Sequence, residues 1–157
     1  MVSEVETNPA AFSDFGALHA LLTEAFAPMA GRIDPPSSLT SMSVEDVVRK
    51  AAAEDLFLIR DRERPMACLF AAPRGESYYL GKLAVAQDMR GRGLARGVIE
   101  AAGARARSLG LRDLELQTRV ELTENHAVFV ALGFRETGRT CHPGYARPTS
   151  VRFRKPV

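Results

Sequence analysis

The residues that most directly suggest chemistry are Arg90-Gly91-Arg92-Gly93-Leu94-Ala95. They follow an apolar run ending at Val85 and a polar turn, Ala86 to Met89, and they open a stretch with helical spacing. The first amides of a helix have no intrahelical acceptor, and the helix dipole adds partial positive charge at that end. Glycines at the helix start keep side chains out of the way, so a phosphate can reach those amides. Arg90, Arg92 and Arg96 add full positive charges. The chemistry implied is the binding of a phosphorylated ligand through main-chain N–H groups.

Two phosphate-binding patterns fit less well. A Walker loop requires Gly-Lys-Ser/Thr, which the sequence lacks. A dinucleotide fingerprint, GxGxxG/A, would put Arg96 at its third small position, where helix and strand must pack closely. Glu115 does stand about twenty residues on, as that motif wants, so a nucleotide-binding oxidoreductase half-domain stays open at this point.

Composition narrows the field. The chain has 157 residues, 46% hydrophobic and 25% charged, with a formal net charge of +2. A single globular domain over 1–157 is expected. The charge is too small to suggest nucleic-acid binding, and its clustering near residues 90–107 suits a small phosphorylated ligand. No window approaches the roughly 18 apolar residues of a membrane span. Met1 to Asn8 is acidic and lacks the pattern of a signal peptide. Cys68 and Cys141 are far apart and have no zinc-ligand spacing, so no metal is expected and a reduced, cytoplasmic protein is. Cys68 lies in an apolar run and reads as a buried thiol.

The elements that must hold the loop can be read from periodicity. Phe15 to Phe26 has one apolar face and reads as a helix capped by Ser13 or Asp14. Pro28 to Thr40 is a loop. Ser43 caps a second helix to about Ala53, with Asp46 completing an acidic capping box. Leu56 to Ile59 and Met66 to Ala71 form a hairpin about the charged turn Arg60 to Arg64. Ser77 to Val85 is a third strand, in which one of Tyr78 and Tyr79 faces the core. Gly93 to Leu109 is a helix ended by Gly110. A strand (Asp113 to Thr118), a short helix capped by Thr123 and running to Leu132, and two strands (Phe134 to Thr140, Thr149 to Arg154) complete the chain. The order implies an α/β or α+β sheet with helices on its faces.

Leu83-Ala84-Val85, four residues, then Arg90-Gly91-Arg92-Gly93-Leu94-Ala95 resembles the acetyl-CoA signature of the GNAT acyltransferases. Asn125-His126-Ala127, Phe129 and Leu132-Gly133-Phe134 resemble the second half of that family's core. The resemblance is strong from Tyr79 to Arg135 and looser outside it. It implies the GNAT fold, a mixed and mostly antiparallel central sheet with helices on both faces and splayed central strands. It implies acetyl-CoA as co-substrate, with the amides from Gly91 to Arg96 on the pyrophosphate. Leu83, Ala84 and Val85 would line the pantetheine arm by main-chain pairing, and Asn125 and Phe129 would flank it. The thioester would lie near Leu83 and Thr118. The reaction implied is transfer of an acetyl or short acyl group to a primary amine, expected to be that of a small molecule, by direct attack in a ternary complex. A homodimer through sheet edges is compatible with the family.

The sequence departs from the family at the catalytic groups. Many members carry a Tyr four residues before the Gly of Leu-Gly-Phe as general acid, where this chain has Phe129. Some carry a Glu four residues ahead of the position of Leu83, where this chain has Tyr79. Tyr79 and Tyr145 are the catalytic candidates, with Glu76, Glu121 and His142 as further titratable groups. The loops 32–38 and 142–150 are expected to wall the acceptor. A non-catalytic acyl-CoA-binding or regulatory protein is the alternative that Phe129 leaves open.

Overall fold

The structure is a computed structural model and describes residues 4–157. Its centre is a seven-stranded sheet in the order β1-β2-β3-β4-β5-β7-β6. The strands are β1 (Glu6–Thr7), β2 (Asp55–Asp61), β3 (Arg64–Arg74), β4 (Ser77–Val85), β5 (Asp113–Arg119), β6 (Arg135–Thr140) and β7 (Ser150–Pro156). All neighbours are antiparallel except β4 and β5, which run parallel. The crossover between that pair carries α3 (Leu94–Ser108), as a parallel connection requires. The mixed sheet with splayed central strands matches the sequence expectation.

Period-two alternation explains why the centres of β2 (Leu56 to Ile59) and β3 (Met66 to Ala71) are apolar throughout. Phe57, Ile59, Ala67 and Leu69 pack on one face with Val98, Ile99 and Ala102 of α3. Leu56, Leu58, Cys68 and Phe70 pack on the other with Leu18 and Leu22 of α1 (Phe15–Phe26) and Val47 of α2 (Val44–Ala53). Strands covered on both sides read as continuous hydrophobic runs. Tyr78 is the core tyrosine of its pair, with 0% exposure. Cys68 is buried as expected, and burial pushes its thiol up to about 12.

Local signals fixed the helix ends. Asp14 accepts a hydrogen bond from the amide of Ala17 and caps α1. Ser43 and Asp46 exchange both bonds of a capping box at the start of α2. Helix α4 (Thr123–Ala131) differs from expectation: Leu122 is its N-cap, Thr123 is its first residue, and no side chain caps it. The short edge strand β1 carries no periodicity of its own. It is held by Glu6, which forms an ion pair with Arg60 at 2.7 Å, and by Asn8, which bonds the amide of Leu56 at 2.8 Å.

Two irregularities in β4 shape the centre of the sheet. Its pairing with β5 stops at Leu80↔Leu116, so Gly81 to Val85 and Gln117 to Arg119 have no partner across the gap. Cys68 opposes Ala84 while Phe70 opposes Gly81, so Lys82 and Leu83 together face a single β3 residue. This is a β-bulge, which re-aims side chains. Lys82 takes φ 52° there, left-handed backbone seldom used by residues other than glycine.

Candidate active site

The gap between β4 and β5 opens into a groove of about 780 Å³ that runs from the start of α3 to the loops over the sheet. At one end the chain leaves β4, makes a 3₁₀ turn at Gln87–Met89 and enters α3 through Gly91 and Gly93, at φ 77° and 78°. A Cβ at either glycine would meet nothing within 4 Å, so both glycines border open space. Leu94 to Arg96 form the first turn of α3, whose amides have no preceding helical carbonyl to bond. Among the described residues none of the six amides from Gly91 to Arg96 has an intramolecular acceptor; the first closed bond of the helix is Gly97 N–H to Gly93 O, 3.0 Å. Arg90, Arg92 and Arg96 are exposed. A row of free amides with uncommitted guanidinium groups beside it has the chemistry to hold an anion.

The groove wall brings together most of the residues expected from sequence. Leu83, Ala84, Val85, Arg90, Gly91, Gly93, Leu94, Ala95, Asn125 and Phe129 all line it, whereas the side chains of Arg92 and Arg96 stand outside. The Asn125 amide has no side-chain hydrogen bond among the described residues and faces the groove. Phe129 packs edge-on against Phe134 at 5.9 Å and tilted against Phe153 at 6.0 Å. It is an apolar wall continuous with the core.

The far end holds the titratable groups. Tyr79 lines the groove, and the Arg74 guanidinium lies 3.7 Å from its ring centroid. Burial raises its phenol, so it stays protonated. His142 also lines the groove, and its Nδ1 and its main-chain N–H both bond Thr149 Oγ1. Burial first, and then the positive Arg119, lower its pKa and keep the ring neutral. Tyr145 is outside the groove lining: its hydroxyl donates to Asp34 Oδ1 at 2.6 Å, tying the β6–β7 loop to the loop before α2. That bond, with burial, raises its pKa. Glu121 sits beside Arg147, 3.9 Å away, and Glu76 pairs with Arg112 at 3.2 Å on the surface.

Sequence reasoning missed Lys82. Its Nζ donates to Ser38 Oγ at 2.9 Å inside the groove. Burial, followed by the charges of Lys50 and Arg119, lowers its pKa. The available signal was Gly81, since a glycine inside a strand pattern often marks a bulge. Glu115, the acid that a dinucleotide motif would need, is buried and takes both guanidinium bonds of Arg154 on Oε1, at 2.9 and 2.8 Å. It is not available to a ribose.

The family model of the GNAT acetyltransferases matches residues 17–134, most of the chain. The chain belongs to the GNAT acetyltransferase family. Like its family, this GNAT acetyltransferase takes its acyl group from acetyl-CoA. Among solved structures it is similar to an acetyltransferase from Thermus thermophilus, at 25% identity and TM-score 0.72 over 99% of both chains. It is similar to a GNAT acetyltransferase from Elizabethkingia anophelis with acetyl-CoA bound, at 15% identity and TM-score 0.67, over 98% of this chain and 97% of that one. Nourseothricin acetyltransferase shares the fold over 66% of this chain and 65% of its own length, at 19% identity and TM-score 0.59. No functionally curated protein sequence matches the chain. Among the described residues no cluster of His, Cys, Asp and Glu is arranged to hold a metal ion, and no helix is long and apolar enough to cross a membrane.

Proposed function

We propose that this GNAT acetyltransferase is an N-acyltransferase that moves an acetyl group from acetyl-CoA to a primary amine of a small molecule, and that one domain carries both sites. The single observation that carries the reading is the continuous groove between the free amides of Gly91 to Arg96 and the polar end near Tyr79 and His142. The cradle fits a pyrophosphate, and the unpaired inner edge of β4 at Leu83 to Val85 offers main-chain groups to a slim amide-bearing arm. Asn125 has an uncommitted side-chain amide for the same arm. The two unpaired cysteines suit a reducing, cytoplasmic setting.

In this reading the neutral amine attacks the thioester carbon, a C–N bond forms, and the C–S bond breaks to release the CoA thiolate. His142 is neutral and lines the groove, so it can accept the proton that the attacking nitrogen must shed. The Tyr79 phenol stays protonated and can donate a hydrogen bond toward the negative charge that develops on oxygen or sulfur. Phe129 contributes shape alone. Tyr145 acts as a positioning residue through Asp34.

Thermal unfolding with acetyl-CoA, CoA, NAD and ATP added separately tests the cofactor. A ligand at a hundredfold excess over its dissociation constant stabilises the native state by about 2.7 kcal/mol, and only the first two should do so. Thiol release across an amine panel then tests transfer. Because Phe129 carries no proton, Phe129→Leu should lower kcat by less than about tenfold, whereas losing a general acid costs about 10²–10⁴. Binding of acetyl-CoA without turnover of any amine would favour the non-catalytic alternative.

A further inference from the structure

The groove has a charge pattern that the phosphate cradle does not account for. Its charged lining residues are Lys50, Lys82, Arg90 and Arg119, and no aspartate or glutamate lines it. Arg90 belongs to the cradle. At the far end Lys50 is neutralised by Glu54, 2.8 Å away. Lys82 donates to the hydroxyl of Ser38 at 2.9 Å and lies 5.8 Å from the centroid of the Phe26 ring, and it forms no ion pair among the described residues. Arg119 donates to the main-chain oxygens of Pro35 and Pro36, which carry no charge. The acids nearest this end lie outside the groove lining: Asp34 is engaged with Tyr145 and Arg147, and Glu121 lies 3.9 Å from Arg147 with its Oε1 buried and unpartnered. The groove therefore holds two cations without a carboxylate among the described residues, both partly withdrawn from water.

The backbone is distorted to bring one of them there. Lys82 sits in the bulge of β4 at φ 52°, a left-handed conformation that disfavours a lysine. Strain of this sort persists where the surroundings impose it, and it gathers at ligand sites. Phe26, Met29 and Ile33 form an apolar wall beside the two cations.

We propose that Lys82 and Arg119 recognise an anionic group, a carboxylate or a phosphate, carried by the amine acceptor, whose apolar body lies against Phe26, Met29 and Ile33. This rests on the amine-acceptor reading above and narrows it to amines that bear an acid. A guanidinium and a desolvated ammonium make short, strong bonds to such groups. A polycationic acceptor would meet like charge where no carboxylate lines the groove, which disfavours it.

The test compares matched acceptors whose amine and acid are far enough apart that the amine keeps its basicity. The pairs are 4-aminobutanoate and its carboxamide, 4-(aminomethyl)benzoate and its carboxamide, and 3-aminopropyl phosphate and 3-amino-1-propanol, with 1,4-diaminobutane as the dication. Both thiol release and equilibrium binding to the CoA-saturated protein are measured. The acidic member of at least one pair should exceed its neutral partner by about tenfold or more, as expected for a charge-assisted contact, and the diamine should be weakest. Whichever pair shows the larger ratio identifies the acid as carboxylate or phosphate. Lys82→Met should remove the preference and leave CoA affinity unchanged, and Lys82→Arg should restore part of it. Acid-selective, Lys82-dependent binding without turnover would uphold the anion site and overturn the transfer reading. Equal handling of acidic and neutral partners, or a preference that survives Lys82→Met, would overturn the anion site itself.

Discussion

Gly93→Asp isolates the charge of the phosphate cradle, provided that Gly93→Asn is measured beside it. Gly93 has φ 78°, and a Cβ there meets nothing within 4 Å. Neither side chain clashes, and both Asn and Asp tolerate left-handed backbone better than other residues. The two variants share nearly the same shape and the same backbone cost, about 1 kcal/mol of folding stability. They differ by one negative charge beside the free amides. A unit charge about 4 Å from another at an effective dielectric of about 20 contributes about 4 kcal/mol. At 1.4 kcal/mol per decade, that corresponds to close to a thousandfold in Kd. Screening by solvent lowers the figure, so the Asp variant should bind acetyl-CoA about a hundred to a thousandfold more weakly than the Asn variant. The Asn variant should stay within about tenfold of the parent. Calorimetric titration of both, with melting curves to verify folding, gives the answer. Equal Kd values for Asn and Asp would mean that the amides of Gly91 to Arg96 face no anion, and the assignment of the cradle would fail.

Other perturbations separate the remaining roles. His142→Gln should lower kcat by about 10²–10⁴ if the ring accepts the proton, and the ascending limb of the pH–kcat profile, below the usual imidazole value in the parent, should vanish. The same shift acts on stability. Since the folded-state pKa is depressed, the contribution of His142 is complete above the unfolded imidazole pKa and is lost as pH falls through the folded value; acid melting of parent and variant reads this difference. Tyr145→Phe removes the 2.6 Å bond to Asp34; acceptor KM should rise severalfold while acetyl-CoA affinity holds, and a fall in kcat alone would instead make the phenol a catalytic group. Ser43→Ala removes the cap of α2 and should cost about 1 kcal/mol, a melting shift of about 2–4 °C at this chain length, with turnover unaffected.

The parts of the molecule governed by short-range rules were readable in advance. The capping box of Ser43 and Asp46, the apolar face of α1 and the glycine-led start of α3 are each decided within a few residues. The doubly buried run of β3 is likewise local. The parallel pairing of β4 with β5 and the insertion of β7 between β5 and β6 are decided by long-range closure; the family resemblance implied a mixed sheet with splayed central strands but not this strand order. Lys82 illustrates the same limit at the site. Gly81 hints at an irregularity in the strand, but which side chain the bulge turns into the groove depends on how β3 registers against β4. Arg119 is similar: it reads as the polar end of a strand until the carbonyls of Pro35 and Pro36 fold over it. The row of free amides proposed to hold the phosphate was legible because a helix start, two glycines and three arginines fall within seven residues. The acceptor end was not, because it is assembled from loops far apart in the chain.

The early end of pairing at Leu80↔Leu116 also bears on how the protein stays dispersed in a crowded cell. A run of unpaired main-chain groups normally invites another polypeptide to dock and propagate aggregation. Here that run lies inside the sheet, flanked on both sides by its own strands, with neighbouring strands about 4.8 Å apart wherever they do pair. A foreign β-strand with side chains on both faces would have to force the fork open, whereas a single flexible chain without bulky branches can slide in. The fork works as a size filter that withholds an otherwise adhesive edge from every partner except a thin one.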